Sequence, residues 1–162
     1  MSLKRIAAET PWLIDIHWSR PSLYENARRN AYDARSWLYM LFGYSGKSER
    51  KIFYIGKAVR SFIASRLGQA DDLRRLKRLK KEHPNHQFRV TQGSVSVRGG
   101  NITPRRIDQI ESMLIYAFTE KNSHITNKKK VWSHGITVPY TIRNLGYGNP
   151  LPKEIHHGVF VC

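Results

Sequence analysis

Cysteine is almost missing from this chain of 162 residues: its single thiol, Cys162, is the last residue. An internal disulfide framework and a cysteine-based zinc site are thereby excluded. Long apolar runs are missing too. None approaches the ~20 residues that a membrane helix needs, and the N-terminus has no apolar signal-peptide core. A soluble, cytoplasmic protein is expected. Acidic residues are scarce, with 12 Asp and Glu against 28 Lys and Arg, a net charge of +16 and a pI near 10.3. Such an excess concentrates polyanions around the protein and makes their binding salt-dependent, which points to a nucleic-acid partner and names no reaction. Repeats and low-complexity tracts are absent as well. Hydrophobic residues nevertheless make up 40% of the chain, enough for one folded domain with a sizeable core.

What is present is densest between Trp37 and Arg66, WLYMLFGYSGKSERKIFYIGKAVRSFIASR. Two apolar strand patterns, one carrying Tyr39 and the other Tyr54, flank the polar turn GYSGKSERK, so the stretch reads as a β-hairpin with a long loop. Residues two apart on a strand share a face, which allows the two phenols to sit side by side with Lys57 and Arg66 close behind.

Downstream, TPRRIDQIESMLIYAFTEK has the marks of one helix, with Thr103 as N-cap and Pro104 in the first helical position. Its apolar face holds Ile107, Ile110, Leu114, Ile115 and Phe118, and Glu111 falls in the middle of that face. A carboxylate on a core-facing stripe needs a cation, a metal or hydrogen bonds. Pairing with Arg105 or Arg106 is the structural alternative to metal ligation.

Tyr54-Ile55-Gly56 followed by Lys57-Ala58, together with Glu111 before Leu114-Ile115, resembles the GIY-YIG nuclease superfamily; Trp37-Leu38-Tyr39 stands where that family has Gly-Ile-Tyr. The resemblance implies a small α/β domain over residues 36–127, a three-stranded antiparallel sheet flanked by helices. Residues 1–35 and 128–162 would be N- and C-terminal extensions, all within one globular unit. It also implies roles. Glu111 would hold Mg²⁺ or Mn²⁺, hard ions suited to carboxylate oxygen. Arg66 would grip the scissile phosphate with its planar fork. Tyr39 or Tyr54 would orient or deprotonate the attacking water, the latter only if cations such as Lys57 lower a phenol pKa near 10. Lys57 would assist the water directly, and Asn127 would brace the site. Tyr54 to Arg66 spans twelve positions, slightly longer than in the family, so Arg60 rivals Arg66, and Asn122 rivals Asn127; Ala70 stands where some members have histidine.

The segment DDLRRLKRLKKEH reads as a further helix, with a seam of Leu73, Leu76 and Leu79 and cations Arg74, Arg75, Lys77, Arg78, Lys80 and Lys81 around it. Like charges at these spacings repel, so phosphate contact explains the run better than helix stability does. A short strand or extended segment is expected in PWLIDIHWSRP, a strand in HQFRVTQGSVSV, helices in SLYENARRNAYDAR and AVRSFIASRLG, and irregular structure with short strands from Lys128 onward. Gly46-Lys47-Ser48 lacks the earlier glycine of a phosphate-binding loop, since Leu41 stands there, and His83, His86, His156 and His157 have no companion ligands in sequence. The expectation is a metal-dependent DNA endonuclease of restriction, repair or mobile-element type, with RNA also open as substrate. Two-strand cleavage would call for a homodimer or sequential cuts. The alternative is a non-catalytic basic nucleic-acid-binding module.

Overall fold

The computed structural model describes residues 12–29, 36–46, 50–59, 61–119, 125–127 and 139–157. Strands β1 (Trp12–Trp18), β2 (Ser22–Leu23), β3 (Ser36–Tyr44), β4 (Lys51–Lys57), β5 (Gln87–Arg98), β6 (Tyr140–Gly146) and β7 (Glu154–His157) form one sheet. Its main path runs β4-β3-β5-β1-β6-β7, and β2 pairs with β5 in line with β1. The pairing of β1 with β6 is parallel and the others are antiparallel, so the sheet is mixed. The helices are α1 (Tyr24–Arg29), α2 (Ile63–Leu67), α3 (Ala70–Glu82) and α4 (Pro104–Thr119).

A small three-stranded sheet with appended ends is therefore not what forms. The hairpin and β5 make up only one side of a seven-stranded sheet, and the two ends of the chain supply the other strands. The reason lies in β5, whose twelve residues have two edges to satisfy: β3 takes one, and β1 and β2 take the other. Cross-strand chemistry then fixes the ends. Arg143 on β6 donates twice to the Asp15 carboxylate on β1, at 2.6 and 2.7 Å, from directly opposite positions. The Trp18 indole N–H donates to Asn144 at 2.9 Å, and the Asn144 amide donates to the carbonyl of Pro152.

Both faces of the hairpin are covered. Leu38, Met40 and Phe42 of β3 point towards α4 with Ile107, Ile110, Leu114 and Phe118, whereas Tyr39 and Leu41 join Ile63, Leu67, Leu76 and Leu79 of α2 and α3 on the opposite face. This is the period-two alternation of a strand buried on both sides. Helix α4 starts as its sequence requires, with the Arg106 N–H donating to the Thr103 hydroxyl at 3.2 Å. Other elements are shorter than their patterns suggest. Ser22 belongs to β2 and caps no helix, and α2 is five residues long, stopped at Gly68; α1 takes Tyr24–Arg29 of its expected segment, whose residues 30–35 lie outside the described residues.

Candidate functional site

The first ingredient is a bulge. Leu41 pairs with Tyr54 and Phe42 with Ile52, leaving Phe53 as the extra residue on β4. Phe53 and Tyr54 consequently both lie on the α2/α3 face, while Ile52 and Ile55 lie on the α4 face. Tyr54, opposite Leu41 in the regular part of the ladder, shares the face of Tyr39, their ring centroids 5.9 Å apart, and the bulge brings Phe53 to that face beside it. Gly56, opposite Tyr39 in the ladder, makes room for both rings. A Cβ there would lie 2.5 Å from Tyr39 Cζ and 2.6 Å from Tyr54 Cε1, so any other residue would force the rings to shift.

Tyr39 is 1% exposed, and its hydroxyl donates to both oxygens of Asp72, at 3.3 and 3.4 Å. Asp72, itself only 3% exposed, also pairs with Arg75 and with Arg66, whose Nε is 3.5 Å away. The Arg75 guanidinium lies 3.6 Å from the centre of the Tyr54 ring, a cation–π contact. One buried carboxylate thus ties both tyrosines to the two arginines. Burial holds the Tyr39 phenol well above its ordinary pKa of 10, and Tyr54 and Asp72 push it the same way. Burial raises Tyr54 as well, against the opposing pull of Arg75. A phenol acidified by neighbouring cations is therefore not what the site holds: desolvation outweighs them.

Across the cleft, α4 presents Asp108 and Glu111, one turn apart on the same side. Lys57, at the end of β4, pairs with Asp108 and lies 3.3 Å from the Glu111 carboxylate. The alternative partner Arg106 is engaged elsewhere, over the ring of Trp12 and against the carbonyl of Asn101. Among the described residues no three His, Cys, Asp or Glu side chains converge on a metal-binding cluster. Two neighbouring carboxylates still fit Mg²⁺ or Mn²⁺, since Mg²⁺ is commonly held by one or two carboxylates with water and substrate phosphate completing the shell.

Asn127 forms a third wall. Its amide accepts from the Ile55 N–H at 3.1 Å and donates to the Ile55 carbonyl at 2.8 Å, while Thr126 donates twice to Phe53. The segment thereby closes the outer edge of β4 like an added strand. Tyr54, Lys57, Arg66, Glu111 and Asn127 all line one cavity of about 860 Å³, together with Asp71, Arg74, Arg75, Arg78 and Asp108. Tyr39 lies beneath this cavity and does not line it. Arg60 and Asn122, the rivals for two roles, lie outside the described residues.

The basic helix divides. Arg74, Arg75 and Arg78 face the cavity, whereas Lys77, Lys80 and Lys81 do not line it. Acids temper the run, with Arg74 on Asp71, Arg75 on Asp72 and Arg78 3.6 Å from Glu82. His83 and His86 pack around the Phe53 ring at 4.8 and 6.0 Å, as loop histidines. Two residues escaped the sequence reading. Asp72 precedes Leu76 by four and Leu79 by seven, so it sits on the seam of α3, the same signal that singled out Glu111. Asp108 is one turn before Glu111. No family model matches the chain, and neither curated proteins nor solved structures give a match.

Proposed function

We propose that this protein is a metal-dependent DNA endonuclease that hydrolyses phosphodiester bonds at a site of GIY-YIG character, set into a larger mixed sheet. The observation that carries this reading is convergence: residues picked from three distant stretches, Tyr54 with Lys57 and Arg66, then Glu111, then Asn127, line a single cavity with arginines along one wall. Arg66 and Lys57 receive the scissile phosphate, and Arg74 and Arg78 hold its neighbours. Glu111, with Asp108 beside it, is the place for a divalent cation, whose chemistry is to neutralise charge on the phosphate and the leaving oxygen. Tyr54, kept protonated by burial, holds the attacking water as a hydrogen-bond partner and not as a base. Asn127 fixes the backbone from which Tyr54 and Lys57 project. A location in the cytoplasm and single-strand cuts, paired by dimerisation or by sequential action, belong to the same proposal.

A second reading, a non-catalytic basic binding module, rests on the ion pairs of Lys57, which engage the carboxylates a cation would use. Supercoiled plasmid separates the two. The nuclease nicks it with Mg²⁺ or Mn²⁺ and stops with EDTA, and a parallel RNA substrate decides the sugar preference. Binding without nicking at every salt and metal tested would select the module.

A further inference from the structure

Helix α3 begins with two acids in different surroundings. Asp71 lies at the surface, its side chain 65% exposed, and pairs with Arg74. Asp72, the next residue, is turned inward and is 3% exposed. Either acid would suit the positive end of the helix dipole from the water side. Burying Asp72 instead carries a desolvation cost that only close partners offset. Those partners are the Tyr39 hydroxyl, at 3.3 and 3.4 Å, the Arg66 Nε at 3.5 Å, and Arg75. They come from three elements, β3, α2 and α3. Two guanidiniums against one carboxylate leave one positive charge over, and both arginines line the large cavity, which Asp72 and Tyr39 do not. A guanidinium carries five N–H donors, so a carboxylate that holds one edge of Arg66 leaves others for a phosphate.

We propose that Asp72 is a positioning residue of the site, fixing Arg66 for the phosphate and Arg75 for the Tyr54 ring, with Tyr39 as its own anchor. This deepens the nuclease reading, on which the identity of that phosphate rests. Arg75 lies 3.6 Å from the centre of the Tyr54 ring, so one carboxylate sets both the group that grips the phosphate and the group that holds the water. Tyr39 then acts from beneath the cavity, through Asp72, and does not reach the water. Charge alone argues in the opposite direction. A carboxylate this close to a bound phosphate repels it, so removing the charge of Asp72 should leave binding as tight or tighter. Loss of rate without loss of binding is therefore the mark of positioning.

The test compares the intact chain with Asp72→Asn, which keeps the shape of the side chain and removes its charge. The first readout needs no turnover: the Arg66 Nε–H signal in ¹⁵N NMR, assigned by its disappearance in Arg66→Lys. In the wild type this signal should be distinct and slow to exchange with water, and a short DNA duplex added in EDTA should shift it. In Asp72→Asn its exchange should quicken about tenfold or more, the scale of a hydrogen bond to a charged group, while the backbone amide signals stay dispersed. The second readout is plasmid nicking with Mg²⁺, in which kcat should fall about tenfold or more and KM should not rise. Tyr39→Phe keeps the charge and removes its anchor, so it should quicken the exchange about fivefold, and it stands in if Asp72→Asn does not fold. An Arg66 signal unchanged in the folded variants, or one that ignores DNA in the wild type, overturns the proposal. A wild type that does not nick, with an Arg66 signal that still depends on Asp72 and moves with DNA, would defeat the nuclease reading and leave the positioning role standing. Nicking by the wild type and equally by both variants would do the reverse.

Discussion

At the scale of the residue, the site depends on packing that tolerates little change. Gly56 is the sharpest case, because both tyrosine rings occupy the space a side chain would need. Gly56→Ala should destabilise the fold by about 1–3 kcal/mol, as overpacking does, and should displace Tyr54 from the cavity. A denaturant melt and a nicking assay on the same preparation would check it; wild-type values in both would mean the rings have room to move. The buried phenols give a second expectation. Tyr24, Tyr39, Tyr54 and Tyr140 all have folded-state pKa values above the ordinary 10, principally through burial. Between 10 and those higher values the unfolded chain has released protons that the folded chain retains, so stability is whole below about pH 10 and falls as pH rises beyond it. A fully buried phenol such as Tyr39 contributes up to ~1.4 kcal/mol per pH unit in that window. Tyr39→Phe should flatten the alkaline decline in the denaturation midpoint; an identical slope in the variant would contradict the assignment. The residue scale also shows what the sequence made legible. Glu111 was readable because a carboxylate interrupts an apolar stripe, and Asp72 obeys the same rule on α3. Its place in a first helical turn, where acids suit the helix dipole anyway, hid the signal.

At the scale of the element, α3 does two jobs. Leu76 and Leu79 anchor it to the sheet, while Arg74, Arg78 and Lys81 follow one another at spacings of four and three on its outer side. Arg75 is different, being committed to Asp72 and to the Tyr54 ring. Neutralising Arg74, Arg78 and Lys81 together should weaken binding to unrelated duplexes alike. The slope of log affinity against log salt should become shallower by roughly 0.9 for each phosphate that the variant no longer neutralises. Titrations of two duplexes at several salt concentrations would measure this, and an unchanged slope would make the run a solvated face. Helix α4 and the long strands were readable because their periodicities extend over many residues. The bulge at Phe53 was not, since an extra residue in a strand follows from the partner's register and leaves no composition of its own. The shortness of α2 was equally hidden: its apolar positions serve five helical residues and an extended approach.

At the scale of the whole molecule, the hairpin, the first core helices and the catalytic candidates were legible from Trp37 to Asn127, whereas the sheet they join was not. Strand pairing between β1, β5 and β6 links residues more than seventy positions apart, and no local pattern states which partner an edge will choose. The site inherits its rigidity from that sheet, with β3 clamped between β4 and β5 and the outer edge of β4 closed by Thr126 and Asn127. Everything proposed for the cavity turns on whether it hydrolyses a phosphodiester with the help of a carboxylate-bound cation. Glu111→Gln addresses this most directly, since it keeps the shape of the side chain and removes the charge that would hold the cation. In a plasmid-nicking assay with Mg²⁺, alongside DNA-binding isotherms, the wild type should cut and the variant should bind almost as tightly without cutting. Cleavage by Glu111→Gln at the wild-type rate, or wild-type cleavage that persists in EDTA, would contradict the account.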